Sequence, residues 1–192
     1  SNATGQIGGT QTRQWGWDSR WEGDGDILRS ERTLGQLATM NCKATWMNDQ
    51  VEFEITLNNI TDHTLTRIDQ TSCLSMRGAP DYRDSVGNRT YLMVDNTFTP
   101  VSALAVDYES SPNIAGAAII GQPLPMKDGY RKRVTEGVYF IVSSDEKSVV
   151  GYSWQPARRF SYDRRGVISC VHIQPIFDHV EPQQECVARG LF

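Results

Sequence analysis

The sequence predicts an all-β fold: one antiparallel β-sandwich domain over residues 4–192, with few or no helices. Three observations lead there. Apolar Ala38, Met40, Cys42, Ala44 and Trp46 alternate with Thr39, Asn41, Lys43 and Thr45, and after Asn48-Asp49-Gln50 the alternation resumes in Val51, Phe53, Ile55 and Leu57. A period of two sends successive side chains to opposite faces, so one face of this hairpin is buried and the other wet, as in an antiparallel sheet covering a core. Short runs of the same kind recur along the chain between turn clusters, the habit of sandwiches and barrels. No dozen residues keep an i, i+3, i+4, i+7 apolar stripe, which argues against a long helix.

In chain order, strands are expected over Ile27–Thr33, Ala38–Trp46, Val51–Asn58, Leu65–Met76, Arg89–Val94, Val101–Tyr108, Ile114–Ile120, Gly137–Ser143, Ser148–Trp154, Ile168–Gln174 and Glu185–Phe192. Turn clusters separate them: Gly23-Asp24-Gly25-Asp26, Asn58–Asp62, Gly78-Ala79-Pro80-Asp81, Ser110–Asn113 and Ser144–Lys147. Gly, Pro, Asn, Asp and Ser concentrate in turns because each suits a turn conformation that other residues resist. Within the hairpin, Cys42 and Trp46 fall on the inward face and are read as core. Three stretches break the pattern: the tryptophan-rich Trp15–Trp21, the polar loop Arg77–Asn88, and the Pro- and Gly-containing Gly121–Arg133. Loops of such length are often functional.

Ser1-Asn2-Ala3 has the form of a residue left by a cleaved expression tag and is excluded from fold reasoning. The chain does not open on Met, so a removed signal peptide or anchor is expected, and with it a periplasmic or secreted location. The longest apolar patch, Ile114–Ile120, falls far short of the roughly 18 residues a membrane span needs, so no transmembrane segment is expected. A net charge of −4 gives no electrostatic reason to bind nucleic acid. Cys42, Cys73, Cys170 and Cys186 are even in number, as in disulfide-bonded exported proteins, and leave three possible pairings open.

Two groupings suggest metal. Cys170 and His172 share a strand face, but with His179 and Cys186 they match none of the usual Cys/His zinc spacings. Glu22–Asp26 resembles part of a calcium loop but lacks the further oxygen ligands, and reads as an acidic turn. No metal or cofactor is therefore expected. There is no Gly-x-Ser-x-Gly elbow, and Ser169-Cys170 lies in a strand pattern. Cys170 has His172 on its face, with no evident group to orient the imidazole. Among the acids, Asp81 and Asp84 are the catalytic candidates, with His172 as general base.

Aromatic and polar residues beside the pattern breaks define the expected ligand face: Arg77, Asp81, Tyr82, Arg83, Trp154, Arg158 and His172. Loops on a rigid scaffold are where binding residues concentrate. Trp15, Trp17 and Trp21 offer a second stacking surface if extended, or core packing otherwise.

Val51–Leu65, with Asn59-Ile60-Thr61 between two strand patterns, resembles a signature of exported bacterial β-sandwich modules. It is also similar to a strand pair of galactose-mutarotase-like supersandwich proteins. Arg77–Asp84, Val150–Ala157, Ser169–Pro175 and Ala188–Phe192 resemble an uncharacterised secreted family of environmental bacteria. The resemblance implies a sandwich of the supersandwich kind. Mutarotases use two catalytic histidines and a glutamate, a triad with no counterpart in this sequence, where His63 follows Asp62 in a turn, so that activity is not expected. The expected function is an exported glycan-binding or accessory module of cell-envelope or polysaccharide biology, with carbohydrate or a cell-envelope protein as partner. The alternatives are a carbohydrate-active enzyme using His172 with a loop carboxylate, and an interaction domain pairing through the Glu185–Phe192 strand.

Overall fold

In a computed structural model, residues 2–7, 10–15, 20–104, 116–163 and 170–192 are described, with side chains excepted at 2–7, 10–15, 116–118, 125 and 163. Seventeen strands follow in order: β1 (Asn2–Ile7), β2 (Thr10–Trp15), β3 (Glu22–Asp24), β4 (Ile27–Leu34), β5 (Ala38–Met47), β6 (Gln50–Asn59), β7 (Leu65–Gln70), β8 (Ser72–Ser75), β9 (Thr90–Val94), β10 (Thr97–Pro100), β11 (Gly116–Ile119), β12 (Pro123–Pro125), β13 (Arg131–Val142), β14 (Val149–Gln155), β15 (Ala157–Asp163), β16 (Cys170–Val180) and β17 (Glu185–Leu191). Helical structure among the described residues is confined to single 3-10 turns at Met76–Gly78, Pro80–Tyr82 and Val101–Ala103. The fold is an all-β antiparallel sandwich.

The chain divides into two compact units, one of Ser1–Thr71, Trp154–Pro156 and Pro175–Phe192, the other of Ser72–Ser153 and Ala157–Gln174. In the first, β3, β4, β5, β6 and β17 pair in that order, while the second half of β16, then β7, β1 and β2 pair in theirs. The β5–β6 hairpin turns on two residues: Met47 pairs with Gln50, and Asn48 takes a left-handed φ of 54°. Asn tolerates that region because its short polar side chain can hydrogen-bond locally. Ala38, Met40 and Ala44 on β5 and Ile55 and Leu57 on β6 are buried, as the alternation requires.

Trp46 departs from that expectation. It has the inward parity but lies beside the hairpin tip, opposite Val51, and is 59% exposed. Cys42 is half-buried rather than sealed in the core. At the other end of the hairpin, Asn59 is fully buried and locks the following turn. Its Nδ2 donates to the His63 and Val180 carbonyls at 2.7 and 2.9 Å, and its Oδ1 accepts from Thr61 N and Oγ1 at 2.9 and 2.8 Å.

In the second unit, β10, β9, β13 and β14 form one sheet with β12 alongside β13, and β11, β15, the first half of β16 and β8 form another. The buried Tyr139 of β13 meets Phe160 of β15 edge-on, with ring centroids 5.7 Å apart and an interplanar angle of 87°. Tyr152 of β14 donates to Ser72 Oγ of β8 at 2.6 Å. The two sheets thus close on a core of Leu92, Tyr139, Ile141, Phe160, Tyr162 and Ile173.

Several expected strands run differently. The single run expected over Leu65–Met76 breaks into β7, β8 and a 3-10 turn. Val101–Tyr108 begins as the turn Val101–Ala103, and its residues from 105 onward lie outside the described ones, as does residue 169. Gly121–Arg133, one of the stretches that break the sequence pattern, contains β12 and the start of β13.

Candidate functional site

Two groupings in the second unit collect most of the polar residues singled out from the sequence. The first is the loop from Met76 to Arg89. Asp84, only 6% exposed, sits under it as a hub. Its Oδ1 accepts from the backbone of Gly87 at 2.8 Å and Asn88 at 3.3 Å, and its Oδ2 from Arg89 N at 2.8 Å and Thr90 Oγ1 at 2.9 Å. A carboxylate so occupied organises the backbone of its own loop. Arg89 adds bonds from Nη1 to the carbonyls of Asp81 at 3.1 Å and Val142 at 2.6 Å. Arg83 donates from Nε to the Met76 carbonyl at 3.3 Å, and from its guanidinium to the Arg77 carbonyl. The loop is also pinned to the β13–β14 turn, with Ser144 N donating to the Asp81 carbonyl at 2.7 Å and Tyr82 OH to Ser148 Oγ at 2.9 Å. Above this frame the side chains of Arg77 and Asp81 are exposed, and Tyr82 is half-buried beside them.

The second grouping forms where β8 pairs with β16. The register sets His172 directly opposite Cys73, and Cys170 opposite Ser75. Period-two geometry therefore brings Cys73, Cys170 and His172 to one face. Their two sulfurs and one ring nitrogen all lie within 4.8 Å of one another. His172 Nε2 is 3.1 Å from Cys73 Sγ, and its Nδ1 is 3.2 Å from Ser161 Oγ on β15. The Ser161 carbonyl accepts from Tyr139 OH at 3.1 Å, which ties the orienting strand to the buried core. His172 is half-buried, Cys170 buried and Cys73 exposed, so the cluster opens to solvent on its Cys73 side.

The imidazole is thus oriented, by Ser161, where the sequence showed nothing to orient it. Cys73, which the sequence placed in the strand expected over Leu65–Met76 but not with Cys170 and His172, is the member that local pattern missed. His179 and Cys186, grouped with Cys170 in the sequence, belong to the other unit. No disulfide joins the cysteines; all four carry thiols. The hydrogen bond to Cys73, then burial, push the Cys170 thiol well above its ordinary range, against a smaller opposing pull from His172. A thiol held in its protonated form is a poor nucleophile.

The remaining candidates stand apart from these groupings. Trp154 is buried, belongs to the first unit and packs against Phe53 at 6.1 Å, so it offers no stacking face. Arg158 lies half-buried on β15. Trp21 is 46% exposed, while the side chains of Trp15 and Trp17 lie outside the described residues. His63 contacts Asp62 at 3.1 Å in an open turn of the first unit, and His179 is exposed on β16. The Glu185–Leu191 strand is paired with β6 along its whole length, so that side of it is closed to a partner strand.

The comparisons bear on the fold. No protein-family model and no curated protein matches the chain. Among solved structures, the chain is similar to a "putative aldose 1-epimerase" of Escherichia coli K12, with a TM-score of 0.55 and 9% identity over 98% of this chain and 77% of that one. It is also similar to the Slr1438 protein of Synechocystis sp. PCC 6803, with a TM-score of 0.53 and 10% identity over 98% of this chain and 71% of that one. At 9 and 10% identity these likenesses bear on the fold alone: the chain has an all-β architecture similar to that of both proteins.

Proposed function

We propose that this protein binds carbohydrate through the Met76–Arg89 loop face, without chemistry on the sugar, as an exported accessory module of cell-envelope or polysaccharide biology. The observation that carries this reading is the frame around Asp84. It fixes a polar loop in advance and leaves Arg77, Asp81 and Tyr82 at its surface. A pre-ordered loop loses little conformational entropy on binding, which matters for weakly binding, heavily hydrated ligands such as sugars. Arg77 supplies a planar donor for sugar hydroxyls or a carboxylate, Asp81 an acceptor, and Tyr82 a ring for stacking. The fold shared with an aldose 1-epimerase-type protein supports a sugar as the ligand class.

Profiling the purified chain against neutral and acidic glycans tests this directly. Binding is expected to at least one class, and Arg77→Ala and Asp81→Ala are each expected to weaken it about tenfold, the worth of one hydrogen bond to a charged group. An empty profile, or binding that both substitutions leave unchanged, overturns the reading.

A further inference from the structure

We propose that Cys73, Cys170 and His172 form a three-ligand Zn2+ site with its fourth position open to solvent. The set is two thiols and one imidazole, the soft and borderline donors that zinc takes. Tetrahedral zinc with bonds of about 2.3 Å to sulfur and 2.0–2.1 Å to nitrogen holds such donors roughly 3.5–4 Å apart. In this protein no two of the three donors exceed 4.8 Å, so side-chain rotation closes the remaining gap without moving either strand.

The surroundings match what a zinc site needs beyond its ligands. A metal-bound histidine donates its second ring N–H to a partner that fixes its tautomer. Ser161 Oγ stands 3.2 Å from His172 Nδ1. With Nδ1–H donating to Ser161, Nε2 presents its lone pair toward Cys73, 3.1 Å away. Ser161 is itself held by Tyr139 through its carbonyl. Three protein ligands with an exposed side describe the open type of zinc site, in which water takes the fourth position.

A Cys73–Cys170 disulfide is the competing use of these sulfurs. The register opposes it: Cys170 pairs with Ser75 and Cys73 with His172, so the two cysteines are diagonal neighbours. Diagonal positions across an antiparallel pair lie about 7–8 Å apart, beyond the Cα separation of roughly 4.4–6.8 Å that a disulfide spans. A metal bridges that diagonal where an S–S bond strains it. The site is independent of the sugar face and stands or falls separately.

The test uses the reduced full-length chain, titrated with Zn2+ against a chromophoric chelator and with Co2+ as a spectroscopic substitute. One ion per chain and a thiolate-to-cobalt charge-transfer band are expected. Cys73→Ser, at an exposed position, is expected to abolish the band while the far-ultraviolet circular dichroism stays unchanged. Cys170→Ser and His172→Ala should do the same, and the Cys42→Ser/Cys186→Ser double variant should bind as the parent does. Ser161→Ala is expected to weaken zinc 10–100-fold, as loss of an outer partner does, with Ser161→Thr restoring it. Zinc affinity unchanged in Cys73→Ser, absence of the cobalt band in the parent, binding of Cu+ alone, or a Cys73–Cys170 disulfide re-forming in air despite added zinc would each overturn the proposal.

Discussion

Single residues in this protein carry two kinds of weight, and Asn59 shows the heavier. Its side chain is fully buried and spends both its donors and its acceptor on the chain around it, with bonds to the carbonyls of His63 and Val180 and from Thr61. Asn59→Ala leaves the buried Val180 carbonyl without this donor and removes the bonds that hold the part-buried turn at Thr61 and His63. Each buried polar group left unsatisfied costs about 1–3 kcal/mol, and backbone relaxation recovers part of the sum. The expected loss is about 2–4 kcal/mol, read as a lower urea midpoint at unchanged m. A midpoint within error of the parent would mean the turn holds itself. In the sequence Asn59 reads only as one polar residue of a turn cluster, because composition marks a turn without saying which member is buried. Cys73 was hidden for a related reason. Its partners Cys170 and His172 lie about a hundred positions away, and alternation reports which face a residue occupies but not which strand pairs with it.

At the scale of elements, legibility follows the strength of the local signal. The β5–β6 hairpin was plain because both strands alternate cleanly about a polar break. β15 is hard to read because Arg158 and Arg159 interrupt its apolar residues after Pro156, leaving only Phe160 and Tyr162 to show a period of two. The β9–β10 turn was missed too, although its Asp95-Asn96 pair is a hairpin signal in its own right. Both residues are left-handed, with φ of 46° and 60°, as a two-residue type I′ turn requires. Asp95 also accepts from Arg133 N of β13 at 3.0 Å, so the turn is anchored to the neighbouring strand through its first residue. Asn96 is therefore the position at which backbone preference can be tested alone. Asn96→Gly is expected to stabilise by roughly 0.5–1 kcal/mol and Asn96→Val to destabilise by about 1–2 kcal/mol, since a β-branched residue resists positive φ. Thermal unfolding of the two variants checks the order; a Val variant as stable as the Gly one would sink the argument.

Across the whole molecule, an even cysteine count and an expected export signal pointed toward disulfides, and the structure instead distributes four thiols over distinct environments. Cys73 is exposed, Cys42 and Cys186 are half-buried, and Cys170 is buried. Burial raises the Cys42 thiol, with the Arg32 charge opposing it, and the Cys73 bond together with burial raises Cys170 further. Alkylation proceeds through the thiolate, so burial and a raised pKa both slow it, and at Cys170 the two act together. Chelator-treated native protein is expected to be modified first at Cys73 and last at Cys170, with Cys42 and Cys170 accelerating only toward alkaline pH. All four should react once the chain is unfolded without reductant. Peptide mass mapping over a time course reads the order. Cys170 labelled as fast as Cys73 would mean the β8–β16 pairing opens readily, and fewer than four reactive thiols in denaturant would mean a disulfide has formed that this fold does not contain.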